Sequence, residues 1–429
     1  MANMQTVGFG FGKQSAQGTG AAFITLGRMM LSSSTPRWTE DQAKDEHIGV
    51  NERPTAQKSA PVRVGYAVPV KANWRLYPHL IGDALLLAGF KVTTYTTVVL
   101  TITATGGTFT LTVSGQTTTA IAENAAAATV KVDLEVLSTV GVATVTGSVG
   151  GPFTITLDSG VTAATFTVDG ALLTGSPSAV FSSWTPHSHV FTLADRDELL
   201  WGTAYHAIGE GTLGSARYAR VVKNARLSKL AINSSIKNGL AVESEGMGIL
   251  DAVSPGTETV TGEPNAALNA ATGTFDLTSS DITEASFGIP QVHNVTINNP
   301  LGEDEGQLHT PFLQDLPLLG LGITGQMQGL PWTIAQWKEL LYASGVAPSA
   351  STLMLPEAAL TWSYNSGRNI PTKTVPYSLT IAIAVATVRM EALDISGQGK
   401  VKINTTYEMI DGAEGAPITI TLVNEKAFY

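Results

Sequence analysis

The hydrophobic pattern changes its period once within residues 64–90. Apolar residues alternate with small or polar ones over residues 64–70, which is the pattern of a half-buried strand. They then recur every three or four positions over residues 76–87, so they share one face of a helix. Pro78 suits the first helical turn, and Gly89 suits the C-terminal stop. The stretch therefore predicts a strand followed by one amphipathic helix.

The same pattern predicts a second strand and helix at residues 319–346. Thr333 and Gln336 have the spacing of a capping box at the start of this helix. The two helix ends, residues 85–88 and 340–343, align at a separation of 255 residues. We expect the apolar faces of both helices to form core or interface. The residues predicted to pack there are Trp74, Leu76, Leu80, Leu87, Trp337 and Leu341.

Residues 91–185 differ in composition from the rest of the chain. They contain no His and no Arg and are rich in Thr. Residues 123–137 predict a helix with Val130, Leu134 and Leu137 on one face. Alternating strands are predicted at residues 108–113, 153–157 and 165–169.

Two predicted hairpins suggest an internal repeat. One lies within residues 217–249 and turns at Asn238-Gly239, and the other lies within residues 377–410 and turns near Gly399. The turn glycines are 160 residues apart, 95 fewer than the helix ends, and residues 91–185 are 95 residues long. The chain therefore reads as two copies of one fold, with an extra domain inserted after the first helix.

Four segments, in this order, carry a resemblance to a known family. They are GlyLysGlnSerAlaGlnGlyThr (12–19), the strand and helix of residues 64–90, ThrLeuAlaAspArgAspGluLeu (192–199) and ProTyrSerLeuThrIle…LeuAspIleSerGly (376–397). Both halves resemble the tail tube (major tail) protein of long-tailed, siphovirus-type bacteriophages. The inserted segment resembles an Ig-like decoration module of phage structural proteins. The resemblance implies a mainly β fold of two tandem tail-tube β-sandwich folds, each with one flanking helix, plus a small inserted β-rich domain with one helix.

This reading divides the chain into five parts. They are an N-terminal arm (1–20), a discontinuous first tail-tube fold (21–90 and 186–255), an inserted decoration domain (91–185), a linker (256–287) and a second tail-tube fold (288–429). By the resemblance, the long irregular segments 31–61 and 299–317 are contact loops between stacked rings. The residues predicted to make these contacts are Trp38, Arg53, Pro54, Glu303, Asp304, Glu305 and Phe312.

The resemblance also implies a function. Six such folds close a ring, so three chains would form a homotrimer that is a pseudo-hexamer, and rings would stack helically into a hollow tube. The tube would enclose the tape-measure protein, conduct double-stranded DNA into the host without specific binding, and end at tail terminator and tail-tip proteins. The expected location is the virion tail, assembled in the host cytoplasm. The alternative is a tail-tip or surface adhesin that binds host carbohydrate through the inserted domain.

Composition limits the other possibilities. The chain has no Cys, so disulfides and thiolate chemistry are excluded. We find no signal peptide and no apolar run of membrane-spanning length. The net charge of −10 argues against a general nucleic-acid binder, and we expect an acidic channel wall that repels phosphate. We expect the inserted domain on the outside of the tube, so that deleting residues 92–184 leaves assembly intact.

Candidate chemistry is sparse. His187 and His189 would place both rings on one side of a strand, but two ligands without a third do not make a metal site. The acidic run at residues 303–305 has the composition of a solvated loop tip, and residues 8–13 lack the spacing of a phosphate loop. No catalytic motif stands out. We therefore expect no enzyme activity, no cofactor and no metal.

Overall fold

The computed structural model describes residues 6–14, 23–27, 39–43, 62–158, 160–195, 198–208, 218–235, 239–254, 259–262, 267–278, 290–302, 315–331, 357–394, 402–410, 417–427 and 429. These residues form large antiparallel sheets and two helices, so the predicted mainly β fold with few helices is confirmed. The chain divides into two compact units. Unit 1 comprises Met1–Lys91, Thr192–Asn365 and Thr380–Thr419, and unit 2 comprises Val92–Phe191, Ser366–Leu379 and Ile420–Tyr429.

The helices are α1 (Leu80–Leu87) and α2 (Ala127–Glu135). The strands up to residue 182 are β1 (Thr6–Lys13), β2 (Phe23–Gly27), β3 (Thr39–Ala43), β4 (Val62–Arg75), β5 (Phe90–Thr103), β6 (Gly106–Val113), β7 (Gln116–Thr117), β8 (Ile121–Ala122), β9 (Ala143–Gly147), β10 (Phe153–Leu157), β11 (Phe166–Asp169), β12 (Leu173–Thr174) and β13 (Ser178–Ser182). The later strands are β14 (His187–Leu193), β15 (Gly202–Ile208), β16 (Tyr218–Ser235), β17 (Gly239–Ser254), β18 (Thr259–Gly262), β19 (Asn269–Thr278), β20 (Val292–Asn298), β21 (Gly322–Pro331), β22 (Glu357–Asn369), β23 (Pro376–Asp394), β24 (Lys402–Met409) and β25 (Ile418–Asn424).

Unit 1 contains the same strand order twice. In the first half the order across the sheet is β3–β4–β17–β16, and in the second half it is β20–β21–β24–β23, with every pair antiparallel. Each half adds a further antiparallel pair, β1 with β15 and β19 with β22. Both hairpins, β16–β17 and β23–β24, also contain a register shift. These pairings support the internal repeat that the sequence predicts.

The two halves are joined by backbone hydrogen bonds between β16 and β20. Residues Lys229–Ser235 of β16 pair with Val292–Asn298 of β20, and the earlier part of β16 pairs with β15 instead. We call the β16–β20 pairing the seam. Because of the seam, the strands from β3 to β23 form one sheet of eight strands that crosses both halves.

Helix α1 is shorter and more buried than predicted. All of its residues from Leu80 to Leu87 are buried, so it is not the one-sided amphipathic helix that we expected. Leu76 is also buried, but its N–H donates to the Leu240 carbonyl at 3.4 Å. Leu76 therefore continues the pairing of β4 with β17 and does not belong to the helix. Pro78 therefore precedes the helix. Gly89 ends it in the left-handed region, with φ +96°.

The eight-stranded sheet has one apolar face and one polar face. Alternate residues on each strand are buried, as the period of two requires. The apolar face carries Val70, Ala72, Trp74, Leu230, Ile232, Val242, Val295, Ile297, Ile323, Met327, Tyr407, Ala386 and Val388, all at most 2% exposed.

Unit 2 contains a hydrophobic core of its own, built from residues 98–173. Residues on α2 and on strands β5, β6 and β10 supply it, including Val130, Leu134, Phe109 and Phe153. The predicted helix and the three predicted strands of this segment are present. The compact unit also includes residues 366–379 and 420–429, which lie outside the predicted insertion.

Three segments that we expected to lack regular structure contain paired strands. The arm of residues 1–20 contains β1, which pairs with β15 and buries Phe9 and Phe11 completely. The linker of residues 256–287 contains β18, paired with β2, and β19, paired with β22. The loop of residues 31–61 contains β3, paired with β4. In each case a short glycine-rich or polar stretch is held by cross-strand backbone pairing, which residue composition does not reveal.

The second predicted helix, with Trp337 and Leu341, lies outside the described residues. Neither of the two described helices has the length and apolarity that crossing a membrane requires.

Candidate functional site: the polar face of the sheet

The polar face of the eight-stranded sheet is an organised surface that extends over both halves of unit 1. Seven neighbouring strands, β4, β17, β16, β20, β21, β24 and β23, contribute half-buried or exposed polar side chains to it. We define the polar face by Lys71, Asn73, Arg75, Glu243, Glu245, Lys229, Asn233, Asn294, Thr296, Thr324, Gln326, Thr406, Glu408, Thr387 and Arg389.

The register places these side chains in rows across the strands. In one row Asn233 lies opposite Asn294, which lies opposite Gln326 on the next strand. The same row continues through Thr406 to Arg389. Directly opposite residues on antiparallel strands have Cβ atoms about 4.5–5.5 Å apart, so each row is a continuous track of amide and hydroxyl groups. The track crosses the seam without interruption.

A second row in the first half is charged. Glu245 lies opposite Lys71 on one side and Lys229 on the other. Lys71 donates to Glu245 and lies 3.5 Å from Glu243, while Lys229 lies 3.5 Å from Glu243 and 3.9 Å from Glu245. The hydrogen bond and the nearby carboxylates raise the pKa of Lys71, and the bond from Lys71 lowers the pKa of Glu245. We call these four residues the charge network.

The second half forms a cleft of about 450 Å³ on the same face. Amide and hydroxyl groups line most of it, and one arginine, Arg389, and one carboxylate, Glu408, complete the lining. Both charged side chains are exposed. The cleft can form hydrogen bonds with a polar chain lying across it. Tyr407, the aromatic residue of its lining, is only 2% exposed and so offers no ring face on which a sugar could stack.

A buried polar cluster lies beneath this cleft. The ring nitrogens of His293 lie 2.7 Å from the Tyr364 hydroxyl and 2.9 Å from the Tyr407 hydroxyl. The His293 ring stacks on Trp362 with centroids 4.3 Å apart. Burial lowers the pKa of His293 to about 3 and raises the pKa of both tyrosines. Both ring nitrogens are engaged and the ring is almost fully buried, so this cluster holds the core together and offers no accessible acid or base.

The predicted histidine pair is present in unit 2. His187 and His189 are both buried on one side of β14, with ring centroids 6.2 Å apart. Thr96 bonds the ring of His187 at 2.7 Å, and Thr94 bonds the ring of His189 at 2.8 Å. Asn424 occupies the other nitrogen of His189 at 2.9 Å. The rings therefore serve hydrogen bonding within unit 2.

The base of the second predicted contact loop is anchored within unit 1. Asn299 donates to the Ala88 carbonyl at the end of α1, at 3.3 Å. Arg226 donates to Asp315 at 3.1 Å and to the Leu316 carbonyl at 2.7 Å. The acidic tip of this loop is not among the described residues.

The predicted site residues are only partly placed. Trp74, Leu76, Leu80 and Leu87 are all buried in unit 1, at most 1% exposed. The predicted contact residues Trp38, Arg53, Pro54, Glu303, Asp304, Glu305 and Phe312 lie outside the described residues, as do Trp337 and Leu341.

Sequence reasoning missed the charge network and the amide rows. A short signal was present, because residues 243–246 alternate glutamate with a small side chain, which is typical of a strand with one face towards solvent. The partners of that face come from strands far away in sequence. Only the register shows that Lys71 and Lys229 flank Glu245.

The described residues contain no group of three or more His, Asp or Glu side chains able to hold a metal ion. A scan of protein-family models found no match to this chain, and none of the curated proteins compared with it matches.

Proposed function

We propose that this chain is the structural subunit of a bacteriophage-type tail tube, in which three copies form a pseudo-hexameric ring and rings stack into a hollow tube. The observation that carries the proposal is the twofold recurrence of one strand order in unit 1, joined at the seam into a single sheet. A chain with two equivalent halves supplies two neighbouring segments of a closed sheet. Closure also removes the edge strands that would otherwise aggregate.

The polar face is proposed to line the channel. A barrel of many strands leaves an open interior, because its diameter grows with strand number. Amide, hydroxyl and paired charged groups suit a wall that stays wet and lets a polymer slide. The apolar face would then pack against the outer layer of each subunit, where Trp74 and α1 are buried.

The polar face is not acidic, although the net charge of −10 led us to expect an acidic channel wall. Four basic side chains, Lys71, Arg75, Lys229 and Arg389, accompany three carboxylates, Glu243, Glu245 and Glu408, among the described residues of the face. An acidic wall is therefore not part of the proposal. Its place is taken by a nearly neutral wall in which most groups carry no charge.

Electron microscopy of the purified full-length protein tests the proposal. The expected result is rings or tubes with threefold symmetry and six similar lobes around a central hole. A cysteine introduced at Thr324, on the polar face, should be shielded from a large maleimide reagent in tubes but not in subunits. Monomers at all concentrations, or rings with the polar face outward, would contradict it.

The second candidate is an adhesin that binds carbohydrate through unit 2, and one observation favours it. The outer face of β9, β10, β5 and β13 presents hydroxyl side chains in register, with Thr146 opposite Thr154 and Thr144 opposite Thr156. Thr97 continues the second row and bonds Thr156 at 2.7 Å. Binding of the monomeric chain to host-cell glycans, without ring formation, would favour this candidate.

A further inference from the structure

The charge network concentrates four charged side chains in one part of a face that otherwise carries mainly amides and hydroxyls. At the repeat offsets of 255 and 160 residues, Lys71 corresponds to Gln326 and Lys229 corresponds to Arg389. Between them, Thr406 takes the place of Glu245 in the register. The first half therefore places two lysines and two glutamates where the second half has one arginine.

Stability does not explain these four charges. The side chains are between 29% and 50% exposed, so solvent screens their attraction. Exposed ion pairs contribute only about 0–1 kcal/mol each to folding. In the second half, the uncharged Gln326 and Thr406 hold the positions of Lys71 and Glu245, and Arg389 holds that of Lys229. The arrangement therefore points to a role at the surface.

Lys71 and Lys229 lie in one row of the polar face, two strands apart, and would bind a phosphate backbone if they were unpaired. Each Lys or Arg that neutralises a phosphate releases a counterion, and this release drives most non-specific DNA binding. In this structure both lysines lie within 4.0 Å of both glutamates. A phosphate would have to displace a carboxylate that is already in place.

We propose that Glu243 and Glu245 shield Lys71 and Lys229 so that a DNA backbone crossing the polar face is not retained there. This inference rests on the proposed function, because the hollow tube proposed there is the conduit through which double-stranded DNA would cross the polar face. It makes the two glutamates the residues that set the affinity of this face for phosphate. Arg75 and Arg389, on the outer strands of the face, then determine the residual affinity of the wild type.

The test is binding of a fluorescent double-stranded DNA oligonucleotide to the full-length protein, before assembly, at about 50–200 mM salt. The Glu243→Gln/Glu245→Gln variant should bind more tightly than the wild type by at least tenfold at the lowest salt. The slope of log K against log salt should steepen by about 0.9 for each lysine that gains a phosphate contact. Two lysines would give about twice that change.

Two matched variants separate shielding from net charge. Glu408→Gln removes a carboxylate from the same face, but Glu408 makes no ion pair with a lysine among the described residues, so it should leave DNA binding near the wild-type value. Adding Lys71→Gln and Lys229→Gln to the double-glutamine variant should abolish its gain. Single Glu245→Gln, which changes one side chain only, repeats the test if the double variant does not fold.

Equal DNA binding by the wild type and by the folded Glu243→Gln/Glu245→Gln variant would overturn the inference. An equal gain from Glu408→Gln would overturn it too, because charge alone would then suffice. Both outcomes leave the proposed function standing, since rings and tubes are observed independently by microscopy. Absence of rings, with the shielding effect intact, would instead overturn the proposed function.

Discussion

Tyr407 lies directly opposite Gly325, and its ring occupies the space that a side chain at Gly325 would need. A Cβ placed on Gly325 would lie 2.0 Å from the Tyr407 ring. The Tyr407 hydroxyl is meanwhile held near His293 at 2.9 Å and donates to the Asn294 carbonyl at 3.2 Å. Glycine at position 325 therefore lets the Tyr407 ring lie across β21 on the apolar face, so that its hydroxyl reaches β20.

We expect Gly325→Ala to destabilise unit 1 by about 1–3 kcal/mol, the usual cost of overpacking a tight core. The ring must move, and its bonds to His293 and Asn294 must lengthen. The measurement is the free energy of unfolding in urea, with near-ultraviolet circular dichroism as the probe.

Gly322→Ala is the matched control, because it lies on the same strand. A Cβ at Gly322 would meet only a carbonyl oxygen at 4.0 Å, so its effect should stay within about 0.5 kcal/mol. Similar losses for the two alanine variants would show that Tyr407 is not the cause.

The buried histidines predict a loss of stability in mild acid. Burial lowers the folded-state pKa of His293 and of His189 to about 3, whereas the unfolded value is about 6.5. The unfolded chain therefore binds more protons between these values. The stabilisation is fully present above pH 6.5 and is lost as the pH falls towards 3.

At pH 5 each such histidine should lower the free energy of unfolding by about 2 kcal/mol relative to pH 7.5. His293→Gln should be less stable than the wild type at pH 7.5 but should lose about 2 kcal/mol less on acidification. Urea titrations at both pH values measure this. An unchanged pH dependence in His293→Gln would rule out His293 as the source.

Arg226 on β16 makes a set of contacts that only an arginine side chain can make together. Its guanidinium carbon lies 3.8 Å from the centroid of the Trp201 ring while its N–H groups bond Asp315 and Leu316. A lysine ammonium group is not planar, so it cannot stack on Trp201 and donate to Asp315 and the Leu316 carbonyl at the same time. We expect Arg226→Lys to cost about 1–3 kcal/mol in urea unfolding.

Asp315→Asn provides the comparison for Arg226. The Asp315 side chain is 48% exposed, so its charge contributes little, and the Leu316 carbonyl remains bonded. The loss should stay below about 1 kcal/mol. A larger loss than that of Arg226→Lys would mean that the ion pair, and not the stacked fork, anchors this loop.

The structure redefines where the inserted segment can be removed. Deleting residues 92–184, as the sequence suggests, would remove Thr94 and Thr96, which bond the rings of His189 and His187. Thr97 and Thr185 are better ends, because the Thr185 N–H donates to the Thr97 carbonyl at 2.9 Å. Two neighbouring antiparallel residues can be joined by a two-residue turn.

We therefore expect replacement of residues 98–184 by Asn-Gly to give a folded protein, since the core of residues 98–173 is removed as a whole. Deletion of 92–184 should be less stable by about 1–3 kcal/mol for each buried ring nitrogen left without a partner. Thermal unfolding of the two variants measures the difference. Equal stability would contradict the assigned role of Thr94 and Thr96.

Local patterns in the sequence predicted the elements whose stabilising contacts are themselves local. Val130 and Leu134 are both buried on α2, as their spacing indicates, because one face of one helix settles their burial. Gly239, which the sequence places at a hairpin turn, has φ +71°, as such a turn requires, while residues 236–238 lie outside the described residues.

Long-range pairing explains what the sequence did not predict. We predicted an N-terminal arm at residues 1–20, yet Phe9 and Phe11 are fully buried because β1 pairs with β15, almost two hundred residues away. His293 was one of several scattered histidines until the fold placed two tyrosine hydroxyls beside it. The polar face depends on register between distant strands, and a one-residue slip would reverse it.

The seam has a consequence for how the two halves can differ. In a ring of six identical chains, every substitution is copied six times. Here Lys71 and Gln326 hold corresponding positions on one chain, so each can change without altering the other. In the proposed ring, the charge network of the first half and the cleft of the second half, whose lining includes Arg389 and Glu408, would therefore alternate three times around the bore. Six identical subunits with one fold each could not produce this threefold pattern.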